Sequence, residues 1–203
     1  QRPGRASDDD VLLLLRACRS ARDRLLMLLL ALAGLRRGEV VGLRREDVHF
    51  LLDSSALGCS FPGSHLHVVR RQNINGAWAK SRHSRIVPVD SLVVQAHDQY
   101  VAERATKAGA WESDFVFVNL FRAPIGAPMT PGAVNALLAA ASRRAGLDRA
   151  VHPMRCGMGS PATSSMPAGA STRSKSSSGM PRSVRARCMS TPHRSGCGRR
   201  SSG

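Results

Sequence analysis

Apolar positions divide this chain into a patterned stretch and an unpatterned one. Ser7 ahead of Asp8, Asp9 and Asp10 has the form of an N-cap with acidic first-turn residues, and predicts a helix running to Ala17. A second helix is predicted from Ala21 to Ala33, stopped by Gly34. Its leucines cover more than one face, which marks a helix at the centre of a core. A short helix over residues 38–43 follows, and then three strands, at 48–52, 65–71 and 85–89. Residues 72–84, between the last two strands, are polar and contain Asn75–Gly76, a hairpin-turn signal. Residues 91–108 read as a helix and Phe115 to Val118 as a short apolar run. Thr130–Pro131, an N-cap with proline at the first helical position, opens a last helix that runs to Ala145 and ends at Gly146.

Beyond Val151 the pattern stops. Residues 152–203 contain no Leu, Ile, Phe, Tyr or Trp, and are dominated by Ser, Gly, Arg, Pro and Ala. Such a segment buries too little apolar surface to offset its ordering entropy, so it reads as a disordered basic tail. The expected organisation is one partial domain over residues 1–151 and the tail over 152–203. The fold class is α+β, mainly α-helical, with a small three-stranded antiparallel sheet.

Charge adds a partner class. Thirty Lys and Arg against fourteen Asp and Glu give a net charge of +16, which suits a polyanion, with nucleic acid the usual one. No carboxylate follows Asp148, while nine Arg and Lys lie from Arg155 onward, so the first 150 residues are only moderately basic. Five scattered cysteines imply no disulfide framework. Cys188, His193 and Cys197 lack the paired close spacing of a metal site, and no metal is expected. The apolar run from Leu25 to Leu35 is too short to span a bilayer and is flanked by charge. No signal peptide is visible, and a chain beginning with Gln reads as a fragment.

Two motifs carry chemistry. The first is Gly34-Leu35-Arg36-Arg37-Gly38-Glu39. A guanidinium fork matches two phosphate oxygens and keeps its charge at any working pH. The second is Ala79-Lys80-Ser81-Arg82-His83-Ser84-Arg85-Ile86-Val87-Pro88-Val89, a basic turn leading into a strand. In order and spacing the pair resembles the catalytic domain of the tyrosine recombinases, the phage integrase family, over roughly residues 8–153. The resemblance makes Arg36 the arginine on the scissile phosphate, with Glu39 orienting it. It makes Lys80 the general acid that protonates the departing 5′-oxygen. Arg82 and Arg85 would contact backbone phosphates.

The family's third element is His-x-x-Arg, followed by a histidine and the tyrosine nucleophile. His152-Pro153-Met154-Arg155 has the His-x-x-Arg spacing, but Met154 stands where a family pattern resembling "HPHxLRH" has its histidine. The only tyrosine, Tyr100, lies upstream in a setting that reads as helix packing, so no residue is assigned as nucleophile. Codon degeneracy accounts for the departure. Read one base out of frame from Pro153, the chain can spell P-H-A-L-R-H-G-L-A-S-H-L-L-D-A-G, then I-D-E-V-K-E-L-L-G-H-A, then L-Y-V-H. Those are the missing elements in the family's order, so the reading is a single-base deletion near the Pro153 codon.

The resemblance implies site-specific recombination or integration, in which a tyrosine oxygen attacks a phosphodiester to leave a 3′-phosphotyrosyl link and a free 5′-hydroxyl. It implies double-stranded DNA as partner, tetramers assembled on that DNA, and no metal or small-molecule cofactor. It also implies a prokaryotic cytoplasmic, nucleoid-associated setting. The family's N-terminal helical DNA-clamping domain is missing. Without the second arginine, the histidine and the tyrosine, this chain is expected to be catalytically dead. The lost helices are also expected to leave the Leu25 to Leu35 stretch partly uncovered and the protein poorly stable. The alternative is a non-catalytic basic nucleic-acid-binding fragment whose binding is salt-sensitive and sequence-blind.

Overall fold

The computed structural model describes residues 6–79, 83–148 and 151; the tail assigned above to residues 152–203 lies outside them. Five helices are described: α1 (Asp8–Ala17), α2 (Ala21–Ala31), α3 (Arg37–Val41), α4 (Ser91–Ala105) and α5 (Pro131–Arg144). Strands β1 (Val48–His49), β2 (His65–Val68) and β3 (Arg85–Pro88) form one antiparallel sheet in the order β1-β2-β3.

The helix starts follow from their caps. Ser7 Oγ accepts from the Asp10 N–H at 3.1 Å while Asp10 accepts from the Ser7 N–H at 2.9 Å, a reciprocal box that stabilises α1 by about 1 kcal/mol. Asp90 and Thr130 cap α4 and α5 in the same one-way sense, each accepting from the N–H three residues on. Gly34, at φ 63°, turns the chain sharply after α2.

Helix α2 is the centre of the core. Residues 25–31 are each at most 3% exposed, and Leu35 is 2% exposed. Helices α1, α3 and α4 pack on it, and α1 and α3 also reach α5. The expectation of an uncovered leucine stretch is therefore corrected, because these elements bury it without help from the lost segment. At about 2 kcal/mol for each fully buried leucine, this stretch is the largest single contributor to cohesion.

A buried arginine ties α4 to the chain beyond it. Arg104 is 2% exposed and donates to the carbonyls of Ala110, Ser113, Phe115 and Val116 at 2.7–3.0 Å. Tyr100, one turn earlier, is 1% exposed and donates its hydroxyl to the Val116 carbonyl at 2.7 Å.

The strands are shorter than their apolar patterns. β1 ends at His49, and Leu51 and Leu52 are exposed. β2 ends at Val68 because Arg71 is drawn off the ladder to Asp47 and Glu46, at 2.7–2.8 Å. The register pairs His49 with His65, Leu66 with Val87, and Val68 with Arg85. Strand alternation then separates two faces. Leu66, Val68, Arg85 and Val87 look toward the helices, while His49, His65, His67 and Ile86 lie on the other side.

Candidate active site

Arg36 sits where a buried residue and an exposed one must follow each other. Leu35 plugs into the core with its N–H bonded to the Leu29 carbonyl at 3.2 Å, and Arg36 then faces outward with 53% of its side chain exposed. Its backbone N–H donates to Glu39 Oε2 at 2.9 Å, and its guanidinium lies 3.5 Å from Glu39 Oε1. The Glu39 carboxylate is buried, and Arg85 of β3 forks both its oxygens at 2.9 and 2.8 Å. Burial alone would push Glu39 up. The Arg85 fork, the Arg36 N–H and the two guanidinium charges outweigh it, and hold the carboxyl below the ordinary carboxylate range. The same fork pushes Arg85 further up, so the pair stays ionised. Glu39 is thus a charged anchor shared by the loop before α3 and by β3. It fixes the backbone of Arg36 and leaves much of that guanidinium open to an anion.

Arg85, expected at backbone phosphates, spends its fork on Glu39. Its described work is to hold the anchor.

The segment leading to Lys80 is fixed against the same short helix. A Cβ built on Gly38 would meet the Trp78 carbonyl oxygen at 2.6 Å, so only glycine allows this close an approach of α3 to residues 77–79. The Asn75 side chain donates to the carbonyls of Val41 and Met129 at 2.9 and 2.7 Å, and accepts from the Ala77 N–H at 3.0 Å. Asn73 accepts from Arg44 at 3.0 Å and donates to the Ala77 carbonyl at 3.2 Å. Ala77 and Ala79 are buried. The expected hairpin turn is present, with Gly76 at φ 70°, but it folds back onto α3 instead of projecting as a tight hairpin. Lys80, Arg82, His152 and Arg155 lie outside the described residues. Exposed Arg70 stands 5.4 Å over the Trp78 ring, beside this segment.

Arg44 is occupied elsewhere. It pairs with Asp114, lies 3.6 Å over the Phe115 ring and accepts no role at the Arg36 surface. Tyr100, buried and engaged with a carbonyl, is a packing residue as its sequence setting implied; burial pushes its hydroxyl up, away from the ionised form a nucleophile needs.

Sequence spacing did not single out a second cluster, on the far face of the sheet. His49, Cys59, His65 and His67 bring one donor atom each within 4.8 Å of one another. The signal was a His-x-His alternation in one strand, but the third histidine joins only through the strand register.

The family model for the phage integrase family matches residues 5–158. Transposase A from transposon Tn554 of Staphylococcus aureus is 29% identical over 140 residues, which is 68% of this chain and 35% of that protein. The chain therefore spans 35% of that relative's length. Among solved structures, XerA recombinase superimposes with a TM-score of 0.57 at 21% identity, over 75% of this chain and 47% of that one. XerH site-specific recombinase, bound to its palindromic difH substrate in a post-cleavage complex, gives 0.53 at 18% identity, over 76% and 40%. The structural likenesses show a shared fold, and the family match covers most of the described chain. With its Arg36–Glu39 loop and three-stranded sheet in place, this chain belongs to the phage integrase family, the tyrosine recombinases, and carries part of their catalytic domain.

Proposed function

We propose that this chain is the phosphate-gripping part of a mobile-element recombinase, a protein that breaks and rejoins DNA through a 3′-phosphotyrosyl link, and that the chain as it stands does not cut. The observation that carries the reading is the mounting of Arg36. A half-exposed guanidinium rises from a backbone locked to a buried, ionised Glu39, and Arg85 of the sheet locks that carboxylate in turn. A fixed cation of this kind suits a phosphorane, whose charge develops at one place and benefits from donors that need no reorganisation. Lys80 follows directly on Ala79, whose segment is held against α3, and this supports its assignment as the general acid. Arg82, and Arg70 at the described surface, would meet backbone phosphates of double-stranded DNA. The family relationship supports a tetramer on that DNA, and the chemistry needs no metal or small-molecule cofactor.

Inactivity follows from the shifted reading of the tail. The second arginine, the histidine and the tyrosine would be encoded in the other frame from Pro153. Support comes from the abrupt change of composition there and from the end of the family match at residue 158. The rival, a sequence-blind basic fragment, would bind mainly through the Arg/Ser tail. Arg36→Ala separates the two, because loss of one phosphate contact lowers the salt slope of DNA binding by about 1. A tail-driven binder would keep its slope.

The deciding experiment incubates this chain, and a version with the tail restored to the other frame, with nicked duplex DNA carrying candidate attachment sites. The expected result is a covalent protein–DNA adduct from the restored version only. An adduct from the 203-residue chain itself would overturn the inactivity and reopen Tyr100. No adduct from either would count against the catalytic reading and leave the basic fragment.

A further inference from the structure

On the face of the sheet turned away from Glu39 and Arg85, four potential metal ligands converge. His49 on β1 stands opposite His65 on β2, and His67 follows two residues on, so all three imidazoles share one face. Between the two strands the chain loops out through residues 50–64 and returns Cys59 over them. We propose that His49, Cys59, His65 and His67 form a closed four-ligand site for a zinc ion, which fastens the 50–64 loop to the sheet.

The spacing fits a tetrahedron. Zinc bonds of about 2.0–2.1 Å to nitrogen and about 2.3 Å to sulfur require nitrogens about 3.3 Å apart and a nitrogen about 3.5 Å from the sulfur. The structure has His65 Nε2 3.1 Å from His67 Nε2, Cys59 Sγ 3.3 Å from His65 Nε2, and Cys59 Sγ 3.5 Å from His67 Nε2. The three rings are tilted to each other by 57–64° at centroid separations of 4.5–5.0 Å, so they fan around a common point instead of stacking.

The hydrogen bonds behind the rings point the same way. His65 donates its Nδ1–H to the Gly63 carbonyl at 2.7 Å, which in the neutral ring leaves Nε2 with its lone pair toward the cluster. His49, 8% exposed, gives its Nε2–H to the Glu46 carbonyl at 3.2 Å, and its Nδ1 is buried with no hydrogen-bond partner. A ligand histidine whose far N–H is held by a backbone carbonyl is the usual support for a metal-bound ring. If the rings are neutral, only the Cys59 thiol and the remaining proton of His67 can donate within the cluster, and His49 Nδ1 stays an orphan. A cation satisfies all four groups at once.

One thiolate and three imidazoles suit a borderline metal such as zinc, and four protein ligands leave no open position, so the site is structural and not catalytic. Its use is legible in the loop. Leu51, Leu52 and Leu57 are 50%, 89% and 53% exposed, so apolar packing alone anchors these residues weakly.

The test uses the full chain, expressed without a histidine tag, stripped with chelator and reloaded with zinc or cobalt. The expected stoichiometry is one zinc per chain. Cobalt should give the strong visible bands of a tetrahedral site and a thiolate-to-cobalt charge-transfer band. Cys59→Ser should abolish the charge-transfer band and weaken zinc binding by at least about 100-fold, while Cys188→Ser/Cys197→Ser should leave both intact. A chain that takes up neither metal would overturn the proposal, whatever the variants do. So would a cobalt spectrum without thiolate character, or zinc that leaves with Cys188 and Cys197 instead of with Cys59.

Discussion

Glu39→Gln removes one charge from the centre of the Arg36 mount while keeping its volume. The carboxylate accepts three hydrogen bonds at 2.8–2.9 Å, two from Arg85 and one from the Arg36 N–H. Losing one partner of a fully buried ion pair costs about 3–5 kcal/mol. Here the Arg85 side chain is 37% exposed, so water takes up part of the freed charge. The amide also keeps one accepting oxygen but turns an N–H toward a donor. Together these bring the expected loss to about 2 kcal/mol. For a domain of this size that is a fall in Tm of about 4–8 °C, readable by circular dichroism, with a matching drop in the urea midpoint. Arg85→Met alone should cost a similar amount. The double variant should cost less than the sum by about 1–2 kcal/mol, because both changes break one interaction. The reasoning is refuted if Glu39→Gln unfolds within 1 °C of the parent chain, or if the two substitutions add independently.

Gly38→Ala gains helix propensity of about 1 kcal/mol but drives a methyl into the Trp78 carbonyl. Overpacking costs about 1–3 kcal/mol, so a net loss and faster amide exchange at Ala77 and Ala79 are expected. A more stable variant would mean that α3 and residues 77–79 are not in contact. Acid should weaken the fold in two stages. Burial pushes His97 below its ordinary 6.5, so its contribution is full above that value and is lost as pH falls through the folded pKa. Glu39, held below 4.5, follows the same sign, full above 4.5 and lost beneath it. Urea midpoints across pH 3–8 should fall in both windows, and Glu39→Gln should flatten only the lower one.

Local signals were legible in the sequence because their causes are local. Ser7 and Thr130 name their helices through a hydrogen bond three residues away, and Gly34 supplies a positive φ that the turn requires. Strand ends were not legible, since Arg71 leaves the ladder for Asp47, twenty-four residues distant. The site divides in the same manner. Arg36 and Glu39 are three apart and share a motif, whereas the Arg85 fork spans forty-six residues and is visible only once β3 is placed. Cover for α2 was misjudged for a related reason. A lost segment says nothing of how much apolar surface α1, α3 and α4 already supply.

Arg104 gathers the carbonyls of residues six to twelve positions further along the chain, and does so from inside the core. Every one of those links closes a short loop, which costs little entropy compared with pairing distant strands. Residues 91–118 are thus equipped to assemble as a unit ahead of the sheet, whose β2–β3 pairing waits on the long excursion back to α3. In a nascent chain this order would give α2 a surface to pack on early and shorten the time its leucines face water.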